Sequence, residues 1–349
     1  ARISDGLSIA EGIAGFLEKV LRVDGGVFAS AQDSESIIDG KRVEGAYYRM
    51  DAAARAEHAP PALDAKVLTG WNGLAIGALA EAGFRHGRKR WVALAREAAE
   101  YLLEHHFRLD GSLVRASIGD IVSTAKATLE DYGMFAAGLL RLALATGEVG
   151  YAARARELVD ASLSAGRGAG GAVFRVPGGA DPVLQSQGLA LAVDPSEGAY
   201  PSGLSAMAGA AHTLYLLTGD AGYLRASATA MQLFAPLAVR RPISFGASLG
   251  VMTRLAQPAA QLVIVADEAG SPLASVAHRW ERAGSVTATV TSEQGRAFAS
   301  AGFELFEGRV VQGGRPTAYL CRDFVCRLPL TDPEELAASL RDDGGASGP

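Results

Sequence analysis

Three times along this chain a helix-period run opens on a polar or aromatic motif and closes on glycine. An aromatic residue then follows that glycine at a fixed offset. The openings are Trp71-Asn72-Gly73, Glu130-Asp131-Tyr132 and Pro201-Ser202-Gly203; the closings are Gly87, Gly147 and Gly219, followed by Trp91, Tyr151 and Tyr223. From Asn72, Asp131 and Ser202 to the glycine is 15, 16 and 17 residues (87−72, 147−131, 219−202), and each aromatic lies 4 further on. Glycine past the last helical turn ends a helix cheaply, because the left-handed conformation needed there costs it nothing. A unit of this kind is a helical hairpin, and stacked hairpins put the three openings at one end of one structure.

The helices of each hairpin differ in their faces. Behind Gly87, Trp91, Leu94, Ala95, Ala98 and Leu102 share one face, and Arg96, Glu97, Glu100 and Glu104 the other, which predicts a half-solvated outer helix. The run from Leu129 carries Met134, Phe135, Leu139, Leu140, Leu142 and Leu144 with little polar surface, and the run from Ser202 to Leu217 is apolar or small all round. A helix with no wet face must lie between neighbours. Alternating buried and amphipathic helices predict an inner and an outer ring: a mainly α fold, a partial (α/α) toroid over residues 1–257. Extended stretches at Gly25–Phe28, Asp110–Leu113 and Gly170–Phe174 read as loops crossing one end of it. A helix over 4–23, capped by Ser4 or Asp5 and stopped at Gly25-Gly26, precedes the first hairpin. From Gln261 the period changes: strands at 261–266, 285–291 and 317–321, and helices at 272–283 and 333–340, predict a small α/β subdomain over 258–349. Residues 344–349 read as a disordered tail.

A chain of 349 residues that is 49% hydrophobic can bury a large core. Its net charge of −5, with no basic block, excludes an electrostatic footprint for nucleic acid. Apolar runs are broken well before about 18 residues, so no membrane span is expected. The first residues lack a signal-peptide pattern and an initiator methionine, as expected of a fragment of a longer protein. Two cysteines fit a reducing, cytoplasmic setting.

The motifs occur in order as Gly25-Gly-Val-Phe-Ala-Ser-Ala31 with Asp33, Val43-Glu-Gly-Ala-Tyr-Tyr48, Asp64-Ala-Lys-Val-Leu-Thr-Gly-Trp-Asn-Gly73, Leu129-Glu-Asp-Tyr132, Tyr200-Pro-Ser-Gly203 and Cys321-Arg-Asp-Phe-Val-Cys-Arg-Leu-Pro329. Together they resemble the thioredoxin-domain-containing proteins related to the spermatogenesis-associated protein of animals. The resemblance implies a six-hairpin, glycosidase-like toroid akin to N-acylglucosamine 2-epimerases, preceded in the whole protein by a thioredoxin-like domain. The chain departs from the family pattern at an insertion-like Ile37–Arg42 and at Leu204, where relatives often carry Asn.

A sugar-processing toroid needs a general acid and a base, usually carboxylates. Asp33, Glu35, Glu44, Asp64, Glu130 and Asp131 all lie in or beside loops of the expected rim. Asp131, with Asp33 and Glu35, is the catalytic candidate, because Asp131 opens a buried helix and can face a cavity. The same position suits a helix cap, and both readings stay open. Trp71 and Tyr132 offer rings for stacking on a sugar and Asn72 an amide for its hydroxyls; a core plug and a cap are the alternatives. Lys66, two residues after Asp64, suits an ion pair. Tyr200 and Ser202 complete the candidate binding set, with Ser202 equally a cap, and Asp194 and Glu197 are rim acids or solvated charges.

Epimerases of this class use histidines for proton transfer, but here His58, His86, His105 and His106 fall at helix ends or in loops. His212 alone falls on an inner helix, where a core role is expected. No pair has metal spacing, so neither metal nor cofactor is expected. Cys321 and Cys326 form a local disulfide or exchange pair, or are two small buried hydrophobes. The leading expectation is a domain binding a sugar-like ligand, with epimerase, isomerase or hydrolase chemistry open. The alternative is a non-catalytic scaffold serving the thioredoxin-like half of the protein.

Overall fold

The computed structural model describes residues 5–167, 172–188, 197–268 and 270–345. The Ser4 cap, Gly170-Gly171, Asp194 and residues 346–349 lie outside them. Three antiparallel hairpins form, with inner helices Thr69–His86, Leu129–Thr146 and Gly203–Thr218 and outer helices Lys89–His105, Val149–Gly166 and Ala221–Arg240. Each inner helix ends on its glycine in the left-handed conformation, with φ of 64° at Gly87 and 72° at Gly147 and Gly219. The aromatic behind the glycine also has a structural reason. Tyr151 Oη donates to Glu100, and Tyr223 Oη donates to Asp160 Oδ1 at 2.7 Å, so the second and third outer helices are each bonded to the outer helix before them. The helix Gly6–Phe16, continued by a wider turn over Leu17–Leu21, is tied to the first outer helix through Glu18–Arg90 at 2.7 Å.

The inner helices meet through glycine. A Cβ at Gly138 would lie 2.3 Å from the Gly73 carbonyl oxygen, and one at Gly73 would lie 2.6 Å from Phe135 Cα. At the next seam a Cβ at Gly133 would come 2.7 Å from Met207 N, and one at Gly203 2.6 Å from Glu130 N. Backbone therefore packs on backbone along both seams. The Gly70 N–H donates to Asp131 Oδ1 at 3.1 Å, and Gly203 abuts Glu130, so all three inner helices start at one level. The mouth predicted from the hairpin spacing is real, and the fold is a partial (α/α) toroid. The first helix begins at Thr69, two residues before Trp71.

The loops before and after the first hairpin cross this end as short strands. Ala31–Gln32 pairs with Leu63–Asp64, Glu35–Ile38 with Lys41–Glu44, and Val67–Leu68 with Ala116–Ile118. A further short helix, Gly246–Leu255, packs on the third hairpin. Its first turn is capped from afar: the Glu197 carboxylate accepts from Ala247 N at 3.1 Å, Ser248 N at 3.1 Å and Ser248 Oγ at 2.6 Å. Glu197 is therefore a cap rather than a free rim acid.

Beyond it stands a four-stranded sheet in the order Val325–Cys326, Thr317–Arg322, Ala260–Val265, Ser285–Val290. The last two strands are parallel, joined through helix Pro272–Ala277; the other pairs are antiparallel. Val263, Val265, Val286, Val290 and Tyr319 face the toroid core. The alternate residues Leu262, Ile264, Ala318 and Leu320 lie with Leu273 and Leu336, from helices Pro272–Ala277 and Pro333–Gly345, on the other face. Two helices end elsewhere than their sequence pattern predicts. The helix expected to reach 283 stops at Ala277, because the chain must turn at Gly284 (φ 75°) into the parallel strand, with Trp280 tucked into the lower core. The closing helix runs on to Gly345, so 344 and 345 are helical rather than disordered.

Candidate functional site

The second inner helix opens with a capping box in which Thr128 occupies the cap position and Asp131 closes the ring. Asp131 is 5% exposed. Its Oδ1 accepts from Gly70 N, and its Oδ2 accepts from Thr128 N at 2.8 Å, Thr128 Oγ1 at 3.1 Å and Arg115 Nη1 at 3.2 Å. Burial raises its pKa, while Arg115 and the Thr128 and Gly70 N–H groups pull the other way. The carboxylate thus caps its own helix, bonds the start of the neighbouring one and holds Arg115.

Asn72 is equally committed. Its Oδ1 accepts from Phe28 N at 2.9 Å, and its Nδ2 donates to Phe28 O at 2.8 Å and Leu68 O at 3.1 Å. The amide acts as one rung of a β ladder and pins the Gly-Gly-Val-Phe loop to the mouth. Tyr132 is buried, and its Oη accepts from Leu113 N at 3.1 Å. Ser202 Oγ accepts from Ser205 N at 3.1 Å and caps the third inner helix.

Next to these lies a buried trio that no local sequence pattern marks. Thr69 Oγ1 donates to Val114 O at 2.5 Å, so it can only accept from His106 Nδ1, 2.7 Å away. That places the ring proton on Nδ1 and leaves Nε2 to accept from Ser117 Oγ at 2.8 Å. Burial, aided by His105, pushes the His106 pKa down to about 4, so the ring is a neutral structural connector. His212 is likewise pushed down to about 4 by burial and by Arg254.

What remains open at the mouth is a small cavity of about 60 Å³ bounded by Trp71, Tyr200, Arg115, Glu130, Asp131 and Met134. Trp71 is 41% exposed and Tyr200 39%, their ring centroids 5.8 Å apart and tilted by 56°. Arg115 and Glu130 also line an adjoining cleft of about 860 Å³, which continues past Thr128, Gly203 and Lys126 to Arg175 and Asp181. Lys126 Nζ donates to Gly178 O at 2.9 Å, fixing the outer wall.

Among the predicted residues, the structure therefore brings Trp71, Glu130, Asp131 and Tyr200 together. It sends Asn72, Tyr132 and Ser202 into packing and caps. Asp33, Glu35, Glu44, Asp64 and Lys66 line neither cavity among the described residues. Glu35 ion-pairs with Arg42, and Asp64 with Lys66 at 2.8 Å, the lysine holding the exposed Asp64 carboxyl below its usual value. Asp33 Oδ1 accepts from Glu35 N at 3.1 Å. Arg115, Lys126 and Arg175 escaped the sequence reading because no local pattern marks them. Among the described residues no cluster of His, Cys, Asp and Glu has the arrangement of a metal site, and no helix is long and apolar enough to cross a membrane.

No family model matches the chain. It is similar to spermatogenesis-associated protein 20. Identity to the mouse protein is 26% over 295 residues, covering 80% of this chain, and to the human protein 26% over 297 residues, covering 81%. The chain spans only 36% and 37% of the length of those two relatives. Among solved structures it is similar to a D-mannose isomerase (TM-score 0.44, 13% identity, 66% of this chain and 52% of that one). It is also similar to the cellobiose 2-epimerase of Bacillus thermoamylovorans B4167 (TM-score 0.46, 9% identity, 65% and 54%). A third is an unsaturated glucuronyl hydrolase specific for heparin (TM-score 0.40, 13% identity, 63% and 53%).

Proposed function

We propose that this chain is a carbohydrate-related domain that binds a sugar-like, polyhydroxylated ligand at the mouth of the toroid. The observation that carries the reading is the Trp71–Tyr200 pair, half-exposed beside Arg115 and Glu130 in a cavity at the inner-helix N-termini. Large aromatic rings left open to water next to a carboxylate and a guanidinium suit a ring whose faces are apolar and whose edge is hydroxylated. The adjoining cleft is large enough for further sugar units, with Lys126, Arg175 and Asp181 along it.

If the site is catalytic, as a sugar epimerase, isomerase or hydrolase, Glu130 is the acid or base that meets the ligand, since it lines both cavities. Asp131 then positions Arg115. Asp33 and Glu35 belong to this reading only if the rim loop folds over a bound ligand. The second reading is a non-catalytic binding domain joined, in the whole protein, to an upstream thioredoxin-like domain in a cytoplasmic redox or quality-control role. Its support is the full commitment of Asp131 and Asn72 to caps and loop anchoring.

Tryptophan fluorescence during titration with a sugar library, run alongside thermal shift, tests the proposal. A saturable response that disappears in Trp71→Ala by both readouts and persists in Lys66→Gln, whose side chain lines neither cavity, supports ligand binding. No response to any sugar in the wild-type protein removes it and leaves the scaffold reading. Turnover of a responding sugar that Glu130→Gln abolishes would decide for catalysis.

A further inference from the structure

Cys321 and Cys326 face each other across the antiparallel pair Thr317–Arg322 and Val325–Cys326 and are joined by a disulfide. Arg309 reaches over this bond: its Nη2 lies 2.8 Å from Cys326 Sγ and 3.7 Å from Cys321 Sγ. Among the described residues the guanidinium's other contacts are Nε donating to Leu305 O at 3.2 Å and the Tyr319 ring 5.0 Å below it. Among the described residues none of these partners carries a negative charge. A half-buried cation without a counter-ion is costly, and burial pulls its pKa down. A disulfide sulfur is a poor acceptor and does little to offset that cost, whereas a thiolate at the same place would be the missing opposite charge.

We propose that Cys321–Cys326 is a redox-active disulfide, reduced by a dithiol, with Arg309 as the positioning residue that holds the thiolate released. The thiolate of the dithiol attacks Sγ of Cys326, the less buried of the two cysteines. The Cys321–Cys326 bond breaks, and its electron pair leaves on Cys321 Sγ beside Arg309. The second thiol of the reductant loses its proton and attacks the mixed disulfide, freeing Cys326. Two electrons pass to the protein and the reductant ends as its own disulfide. Of the two protons the dithiol gives up, one is taken up by Cys321 and the other passes to solvent, while Cys326, nearest Nη2, keeps the negative charge.

The backbone suits a pair that opens and recloses. The hairpin tip is a two-residue turn at Asp323 and Phe324, both left-handed with φ of 47° and 64°, a conformation that side-chain-bearing residues adopt only when held. The hold is independent of the sulfurs. Asp323 N donates to Ala259 O at 2.8 Å, Ala259 N donates to Asp323 Oδ1 at 3.0 Å, and the Phe324 ring packs on Tyr215 of the third inner helix, centroids 5.1 Å apart. The two thiols therefore stay opposed after reduction.

Equilibration of the purified protein in dithiothreitol buffers, with maleimide mass-tagging as readout, tests this. Arg309→Gln should shift the equilibrium toward the disulfide by about tenfold, which is about 30 mV for a two-electron couple, and Arg309→Lys should restore most of it. In the reduced wild type, alkylation of Cys326 by iodoacetamide should reach half its maximal rate well below the pH of about 8.5 ordinary for a thiol. Equal equilibria in wild type and Arg309→Gln overturn the proposal. So does a wild-type alkylation midpoint at or above 8.5, a result that needs no variant to fold. Absence of a 321–326 cross-linked peptide in the oxidised protein also overturns it.

Discussion

Arg115 at the toroid mouth and Arg309 over the C-terminal sheet are both partly buried guanidinium groups, and their surroundings are opposite. Arg115 meets a buried carboxylate that is itself held by backbone N–H groups. Arg309 meets two bonded sulfurs, a carbonyl and a ring. The first arrangement is complete: each group satisfies the next, and removal of one leaves another stranded. The second lacks a charge. Polar residues gathered at one end of a barrel can thus be architecture, while a charge without a partner points to chemistry elsewhere.

The largest expected effect tests the toroid side by pH. The folded pKa values of His106 and His212 are pushed to about 4, below the ordinary 6.5, so between those values the unfolded chain binds more protons. Stability should therefore fall as pH drops from about 7 to 4.5, by about 2 kcal/mol per ring, and level off below about 4. His278, also depressed by burial, acts in the same direction. Urea midpoints across that range measure it, and His106→Gln should remove a large part of the slope. A flat profile would mean that the rings are not buried neutral.

Gly138→Ala comes next. The added methyl would meet the Gly73 carbonyl oxygen at 2.3 Å, and backbone cannot move aside cheaply. A loss of about 3 kcal/mol is expected despite the better helix propensity of alanine. Unchanged stability would show that the inner seam is looser than described.

Asp131→Asn set beside Arg309→Gln puts the contrast itself to the test. The first should cost about 2 kcal/mol, because Arg115 loses its counter-charge. The second should cost under about 1 kcal/mol in the oxidised protein, because no charge depended on Arg309. Denaturation of the two variants under one condition gives the ranking, and a reversed order breaks the comparison. Smallest of all, Trp71→Ala should change stability by less than about 0.5 kcal/mol while removing any fluorescence response to sugar.

The architecture was legible wherever its signal was local. Glycine followed by an aromatic marked all three hairpin turns, because the left-handed stop and the ring sit within five positions of each other; Trp91 packs into the core, and Tyr151 and Tyr223 clamp the preceding outer helix. The apolar faces of Leu129–Thr146 and Gly203–Thr218 marked the inner ring for the same reason. What stayed hidden was set by partners far away in sequence. Asn72 reads as a ligand-binding amide until Phe28, 44 residues earlier, takes both of its ends. Asp131 reads as a catalytic acid until Gly70 and Arg115 arrive from other elements, although Thr128-x-x-Asp131 did carry a capping signal. His106 reads as a frayed helix end and becomes a connector once Thr69 and Ser117 close on it. Cys321 and Cys326 left pairing open, because a spacing of five fits a hairpin only when the turn between them adopts two left-handed residues.

The carboxylate of Glu197 has a consequence for how the molecule comes together. Helix Gly246–Leu255 has no side-chain cap of its own at Phe245, and its leading amides rely on a group roughly fifty positions earlier. That segment cannot nucleate by itself in water; it waits for the crossing loop to settle on the third hairpin. The chain leaves it directly for the first sheet strand at Ala260. One glutamate thereby makes the start of this helix, the last element before the sheet, conditional on the packed third hairpin.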